Sequence, residues 1–234
     1  FETFGLKSTD STVPSGSVFW FDASDESSIV DSAWSVLTWK DKSSNWNNIV
    51  QNTSWDRPLT WITQLNGLNT VSFTQDYLEL INQKNMRTAF FVIDNANGSN
   101  SGTNVTSIFW EDASSWYSYT FVNVNTSDGN YDISIDGNVS DTGIAYVWGG
   151  TWVSGNNINL WRTELQNKGA NIWLVVYDES IPVKYIGGLT NGTFYKWNLD
   201  IAEIISYDRV LNAKELNKIG NYLSDKWALP WTDL

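Results

Sequence analysis

The sequence predicts an all-β chain, an antiparallel β-sandwich carrying one short helix near its C-terminus. Three observations lead there. Short apolar runs recur between Gly, Asn and Asp turn signals along the whole chain. The chain holds 15 Trp, 10 Tyr and 10 Phe amid many Thr, Val and Ile, the residue types that suit a pleated, half-buried surface. Helical spacing is well signalled only once, and no alternation of strand and helix suggests an α/β fold.

Taken in order, residues 1–16 are polar, carry Pro14 and Gly16, and read as an N-terminal arm; residues 17–234 read as a single domain. Ser17–Asp22 (SVFWFD) is the first expected strand. Leu37–Lys40 precedes the polar turn Asp41–Asn48 (DKSSNWNN), and Thr70–Phe73 follows the turn signal Asn66-Gly67. Tyr77–Leu80 and Thr88–Ile93 come next, then the long loop signal Asp94–Asn104. Strands are expected at Ser107–Trp110, Tyr117–Val124, Tyr131–Ile135, Ile144–Val147, Ile158–Leu160, Asn171–Tyr177, Val183–Ile186 and Asp200–Tyr207. The helix is expected at about 212–226. Asn212 with Glu215 three residues later makes a capping pair, and Leu216, Ile219 and Leu223 fall on one face. Trp227 should pack where it ends.

Composition narrows the chemistry. A chain of 234 residues can bury a large core without staples. It has no cysteine, so disulfides, thiolate metal sites and catalytic thiols are out. It has no histidine, so the commonest general base and transition-metal ligand is missing too. A formal charge of −12 repels phosphate backbones and anionic lipid, so no nucleic-acid role is expected. The longest apolar runs, Ala89–Ile93 and Trp173–Tyr177, are too short to span a bilayer as a helix, and no membrane insertion is expected. The opening FETFGLKST does not read as a signal peptide, and any targeting signal is expected to have been removed.

The tryptophans divide by context. Trp20, Trp39, Trp173 and Trp227 fall in strand or helix positions and are expected in the core. Trp46, Trp55, Trp61, Trp110, Trp116, Tyr117, Trp148, Trp152, Trp161 and Trp197 are flanked by loop signals. Flat rings of this kind stack on pyranose C–H faces while amides read the hydroxyls. Of these, Trp46, Trp116, Tyr117, Trp148, Trp152 and Trp197, with Asn156 and Asn157, are the candidate ligand-binding residues. The same ring types are enriched in protein–protein contacts, so neighbouring protein subunits are the rival partner.

Several segments resemble the bacterial and viral laminin-G-like jelly rolls of the concanavalin A-like superfamily. The likeness is carried by Phe19–Ile29 (FWFDASDESSI) and Val36–Asn48 (VLTWKDKSSNWNN), then by Arg57-Pro58, Leu65–Phe73 (LNGLNTVSF) and Asp76-Tyr77-Leu78. It returns at Leu199–Leu211 (LDIAEIISYDRVL), Glu215, Tyr222-Leu223 and Lys226-Trp227. It covers roughly residues 17–80 and 186–229; the middle is not diagnostic. Two departures stand out: the family carries glycine where Ser44 and Trp46 stand, and often a small residue near Trp197. The resemblance implies a jelly-roll sandwich, a fold that hosts lectins, hydrolases, lyases and structural modules alike.

The resemblance also frames catalysis and metal binding. Glucanases of this fold carry E-x-D-x-E on one strand and lyases combine His with Tyr and Arg; neither pattern occurs here. A glycosidase needs only two carboxylates roughly 5–9 Å apart, and Glu203, Glu111 and Asp112 are the candidates. Glu203 reads more simply as part of the closing strand. Domains of this kind often bind Ca2+ on a sheet rim through oxygen ligands, and Asp128, Asn130 and Asp136 are the candidate set, with Asp22, Asp25 and Glu26 a second group. Asp-Gly and Gly-Asn are equally ordinary turn chemistry. The favoured reading is a non-catalytic carbohydrate-binding or adhesion module, displayed on a cell surface or virion and recognising polysaccharide or glycoconjugate through rim aromatics. A structural or decoration domain of a capsid, fibre or surface layer is the alternative, and a glycan hydrolase or lyase ranks below both.

Overall fold

The computed structural model describes residues 13–74, 76–94, 103–110, 118–125, 130–134, 143–148, 170–187 and 198–234; from 103 to 148 it gives the backbone path alone. The expected all-β character holds. The described residues form thirteen strands: β1 Phe19–Asp22, β2 Ile29–Ser32, β3 Ser35–Trp39, β4 Ile49–Val50, β5 Leu59–Leu65, β6 Leu68–Thr74 and β7 Tyr77–Asp94, followed by β8 Thr103–Trp110, β9 Ser118–Asn125, β10 Asn130–Ser134, β11 Gly143–Trp148, β12 Ala170–Gly187 and β13 Asn198–Tyr207. One helix, α1, spans Ala213–Trp227. Every described strand pair is antiparallel. No described helix is long and apolar enough to cross a membrane.

The pairing departs from two separate facing sheets. All thirteen strands join one hydrogen-bonded sheet, in which β13, β6, β5, β3, β4 and β7 close a six-stranded ring. The reason lies in three strands that serve several neighbours. One edge of β13 pairs with β6 over Asn198–Ile201 and then with β1 over Glu203–Ser206, while its other edge pairs with β7. Strands β7 and β12 each run 18 residues and pair along their length, with register shifts between Val176 and Ile181 and between Val183 and Tyr185. Such shifts bend a ladder and raise its twist, which lets one strand turn from one set of partners to another. Closing the ring leaves those strands fewer unpaired edges.

Alternation along the strands sorts the core into two clusters, one on each face. Phe91 and Ile93 of β7, with Trp173, Val175 and Tyr177 of β12, join Phe19, Phe21, Trp39 and Phe73 in the first. Phe90 and Val92, with Ile172 and Leu174, join the second, which the helix covers with Leu216, Ile219, Leu223 and Trp227. Those four recur at helical spacing, so α1 buries one stripe. Its start is as the sequence predicts. Asn212 Oδ1 accepts from the Glu215 backbone N–H at 3.1 Å, and Glu215 Oε2 accepts from the Asn212 N–H at 3.1 Å. The hairpin at Asn66-Gly67 is also as predicted: both residues carry positive φ (51° and 82°) and link Leu65 to its partner Leu68.

A bulge decides where one charged residue points. Ile201 pairs with Ile93 and Glu203 with Val92, so Ala202 is an extra residue in β13. Ile201 and Ile204 therefore face the first cluster, while Ala202, Ile205 and Tyr207 face the helix side. Simple alternation would have aimed Glu203 away from α1. The bulge turns it towards the helix.

Beyond α1 the chain folds back over it. Trp231 lies on Gly220: a Cβ built there would sit 1.9 Å from the indole Cε2. The Trp231 ring also meets Phe90, with centroids 6.0 Å apart. Asn217 clamps Leu234 through both backbone groups, and Asn221 donates to Asp233 at 2.9 Å. Glycine in mid-helix is unfavourable by itself, so its presence here is explained by the ring it admits.

Candidate functional site

The polar turn at residues 41–48 is built around one carboxylate. Asp41 is buried at its foot. Its Oδ1 accepts from the backbone N–H groups of Trp20 and Ser43, both at 2.8 Å, and its Oδ2 from Ser43 Oγ at 2.6 Å and the Asn47 N–H at 2.8 Å. Asn48 Oδ1 accepts from the Asp41 N–H at 2.9 Å. The amides of Asn45 and Asn47 donate to the carbonyls of Ser17 and Val18 at 2.6 and 2.7 Å. These asparagines turn inward and hold the loop against β1, and Trp46 stands on top of them with 80% of its surface exposed.

Its backbone φ is +57°, the left-handed region that a bulky side chain enters at a cost of roughly 1 kcal/mol or more. This is the position where the resemblance leads one to expect glycine. An indole that gains little burial there is not placed by folding energetics.

A second group of rings was only partly foreseen. Trp55, 82% exposed, sits in a 3-10 turn over Ser54–Asp56, and Trp61 is half-buried at the start of β5 with φ +64°. Trp34, 63% exposed, belongs to neither predicted class. With Ala33 it forms the two-residue turn joining β2 to β3; their φ values of 50° and 70° mark a type I′ turn, for which Asn-Gly is the usual pair. The turn is tied down at the Trp34 N–H, which donates to Asp31 Oδ2 at 3.0 Å. Trp34 O accepts from the Thr60 N–H at 2.8 Å, beside Trp61. Three Trp residues at positive φ in one domain have little to recommend them as stabilising choices.

The buried carboxylate proves to be an anchor. Glu203 is 0% exposed. Its Oε1 accepts from Trp20 Nε1 at 2.6 Å and Tyr222 OH at 2.8 Å; its Oε2 accepts from Lys226 Nζ and Trp227 Nε1, both at 2.7 Å. Lys226 also pairs with Asp22 Oδ1 at 2.6 Å, Asp22 Oδ2 with Lys42 at 2.7 Å, and Lys42 with Asp25 Oδ2 at 2.9 Å. Both ammonium groups lie over rings, Lys42 4.9 Å from the Trp20 centroid and Lys226 4.9 Å from that of Trp227.

Burial pushes the Glu203 carboxyl above its ordinary range, opposed by Lys226 and reinforced by the Asp22 charge. Burial also works against the Asp22 charge, but Lys226, Lys42 and Ser24 outweigh it and hold that carboxyl low. Lys42 is lifted by Asp22 and Asp25 against its own burial. A carboxylate with four donors and no exposed surface ties helix to sheet. It has no spare lone pair directed at a substrate.

Of the other predicted residues, Trp148 ends β11 with its backbone opposite Ile172, so it belongs to a strand, and Asn130 opens β10 opposite Asn125. Trp116, Tyr117, Trp152, Asn156, Asn157, Trp197, Asp128, Asp136, Glu111 and Asp112 lie outside the described residues. Trp39, Trp173 and Trp227 are buried as expected, and Trp20 is half-buried. Asp22 and Asp25, from the second candidate calcium group, hold lysines; among the described residues no three acidic side chains converge as a metal site. The sequence signal that could have exposed the anchor is the charge in the middle of DIAEIISY, Glu203, between the apolar pairs Ile201-Ala202 and Ile204-Ile205. Compared with protein-family models, curated proteins and solved structures, the chain matches none of them.

Proposed function

We propose that this chain is a non-catalytic carbohydrate-binding or adhesion module, a laminin-G-like jelly roll of the concanavalin A-like kind, displayed on a cell surface or virion. It recognises polysaccharide or glycoconjugate through exposed aromatic rings. The observation that carries this reading is Trp46: a largely exposed indole, in a backbone conformation suited to glycine, on a loop whose asparagines hold it from below. Rigid display of a flat ring lowers the entropy lost on binding, and sugar C–H faces are the natural counterpart of an isolated ring. The acidic surface fits a partner that is not itself polyanionic.

Two exposed aliphatic residues, Ile62 and Ile81, favour a second reading, in which the domain decorates or spaces a capsid, fibre or surface layer and these side chains meet neighbouring subunits. A glycan array separates the two, run once with calcium and once with chelator. Specific hits support the first reading, and their loss in chelator assigns calcium a part. A blank array in both conditions, together with self-association in sedimentation, replaces it with the second.

A further inference from the structure

We infer that Trp34, Trp55 and Trp61 form one stacking platform for a neutral polysaccharide chain, at the opposite end of β3 from Trp46; this rests on the carbohydrate-binding reading above. The backbone places the three together. Trp34 O accepts from the Thr60 N–H at 2.8 Å, the Val36 N–H donates to Pro58 O at 2.8 Å, and Ser35 pairs with Leu59, so the β2–β3 turn lies along the start of β5. Trp61 follows Thr60 directly. Trp55 precedes Pro58 by three residues, which keeps its Cα within about 11 Å of that proline. Trp46 belongs elsewhere: β3 has five residues, so the 41–48 loop begins about 17 Å from the turn.

Two of the three rings stand at positive φ, and the two outermost expose most of their surface. The support beneath them is fixed by hydrogen bonds. Asp31 holds the Trp34 N–H, Asn69 Oδ1 accepts from the Trp61 N–H at 2.9 Å, and the Arg57 guanidinium donates to the carbonyls of Gln51 and Asn52 at 2.7 and 2.9 Å. The residues close to the rings in sequence, Ser32, Asn52, Ser54 and Asp56, carry hydroxyl, amide and carboxylate groups. That combination offers faces for pyranose C–H bonds and acceptors for hydroxyls. The cation of residues 52–62 is Arg57, already bonded to two carbonyls, and the chain carries a net charge of −12, which disfavours a uronate or sulfate. The chemistry selects uncharged sugars.

The test uses the whole chain and two variants, Trp34→Gly and Trp55→Ala, with Trp46→Gly as the comparison. Affinity electrophoresis through laminarin, mannan and xyloglucan supplies neutral polymers, and alginate an acidic one. The expected result is retardation of the wild type in at least one neutral gel, weakened about tenfold or more in Trp34→Gly and Trp55→Ala, as for a ring central to an interface. Glycine suits the type I′ turn better than tryptophan, so Trp34→Gly should melt at the same temperature or higher. A lower melting temperature would make Trp34 a structural residue and overturn its part, with Trp55→Ala still judging the platform by binding alone. Unchanged retardation in both variants, with loss in Trp46→Gly, overturns the platform and leaves the carbohydrate reading standing. Retardation by alginate alone overturns the neutral class. No retardation of the wild type in any gel brings down the carbohydrate reading itself.

Discussion

Gly220 and Trp231 are coupled so tightly that a substitution at the first should change sign with the second. In an exposed helix, glycine to alanine stabilises by about 1 kcal/mol. Here the added methyl would meet the Trp231 indole at 1.9–2.2 Å, which displaces the ring. A half-buried tryptophan removes roughly 100 Å² of apolar surface from water, worth about 2.5 kcal/mol. Gly220→Ala should therefore destabilise by about 1.5 kcal/mol, the helix gain set against the lost ring contact. Trp231→Ala alone should cost about 2.5 kcal/mol, and Gly220→Ala added to it should restore about 1 kcal/mol. The double variant then matches Gly220→Ala in stability. Chemical denaturation of the four proteins reads this cycle directly, and a loss of 1.5 kcal/mol corresponds to a melting shift of about 3–6 °C. If Gly220→Ala has the same effect with and without Trp231, the tail does not pack on the helix as described.

Two further outcomes follow from the charges. Lys226→Met leaves Glu203 buried with its hydroxyl and indole donors but no cation, and should destabilise by about 3 kcal/mol in denaturant melts, while Glu203→Gln added to it should recover part of the loss. Asp200 stands opposite Asp94 across the β13–β7 ladder; burial and that neighbouring charge raise its carboxyl pKa against hydrogen bonds from Ser72 and Thr63. A raised acid stabilises the fold only when protonated, so its favourable contribution is present at low pH and lost as pH rises through the folded value. Asp200→Asn should accordingly raise the melting temperature at pH 7, by about 0.5–1 kcal/mol equivalent for a like-charge cross-strand pair, and the gap should close as pH falls towards 4.

Local signals were legible and long-range pairing was not. Asn212, Glu215 and the Leu216–Ile219–Leu223 stripe marked the helix because capping and packing both act within a few residues. Asn66-Gly67 marked its hairpin for the same reason. The turn at Ala33-Trp34 escaped notice because neither residue advertises positive φ, and with it went the ring at its tip. Strands β7 and β12 each read as two pieces. Exposed Ile81, Asn82 and Gln83 interrupt the apolar pattern of β7, and the ladder with β12 jumps across them, from Lys84 opposite Val183 to Glu79 opposite Tyr185. Ring closure depends on β13 meeting β6 and β7, neither of them its neighbour in sequence. Glu203 gathers donors from residues 19 to 183 positions away, which no local pattern encodes.

The central claim is that exposed indoles are kept for binding at the expense of local stability, and Trp46 tests it most directly. Trp46→Gly relieves the left-handed strain on a loop whose hydrogen bonds do not involve the indole. Measured together, its melting temperature should equal or exceed that of the wild type while retention on the polysaccharide that binds the wild type falls about tenfold or more. A variant that melts lower yet binds unchanged would contradict the account, because Trp46 would then be holding the fold and not a ligand.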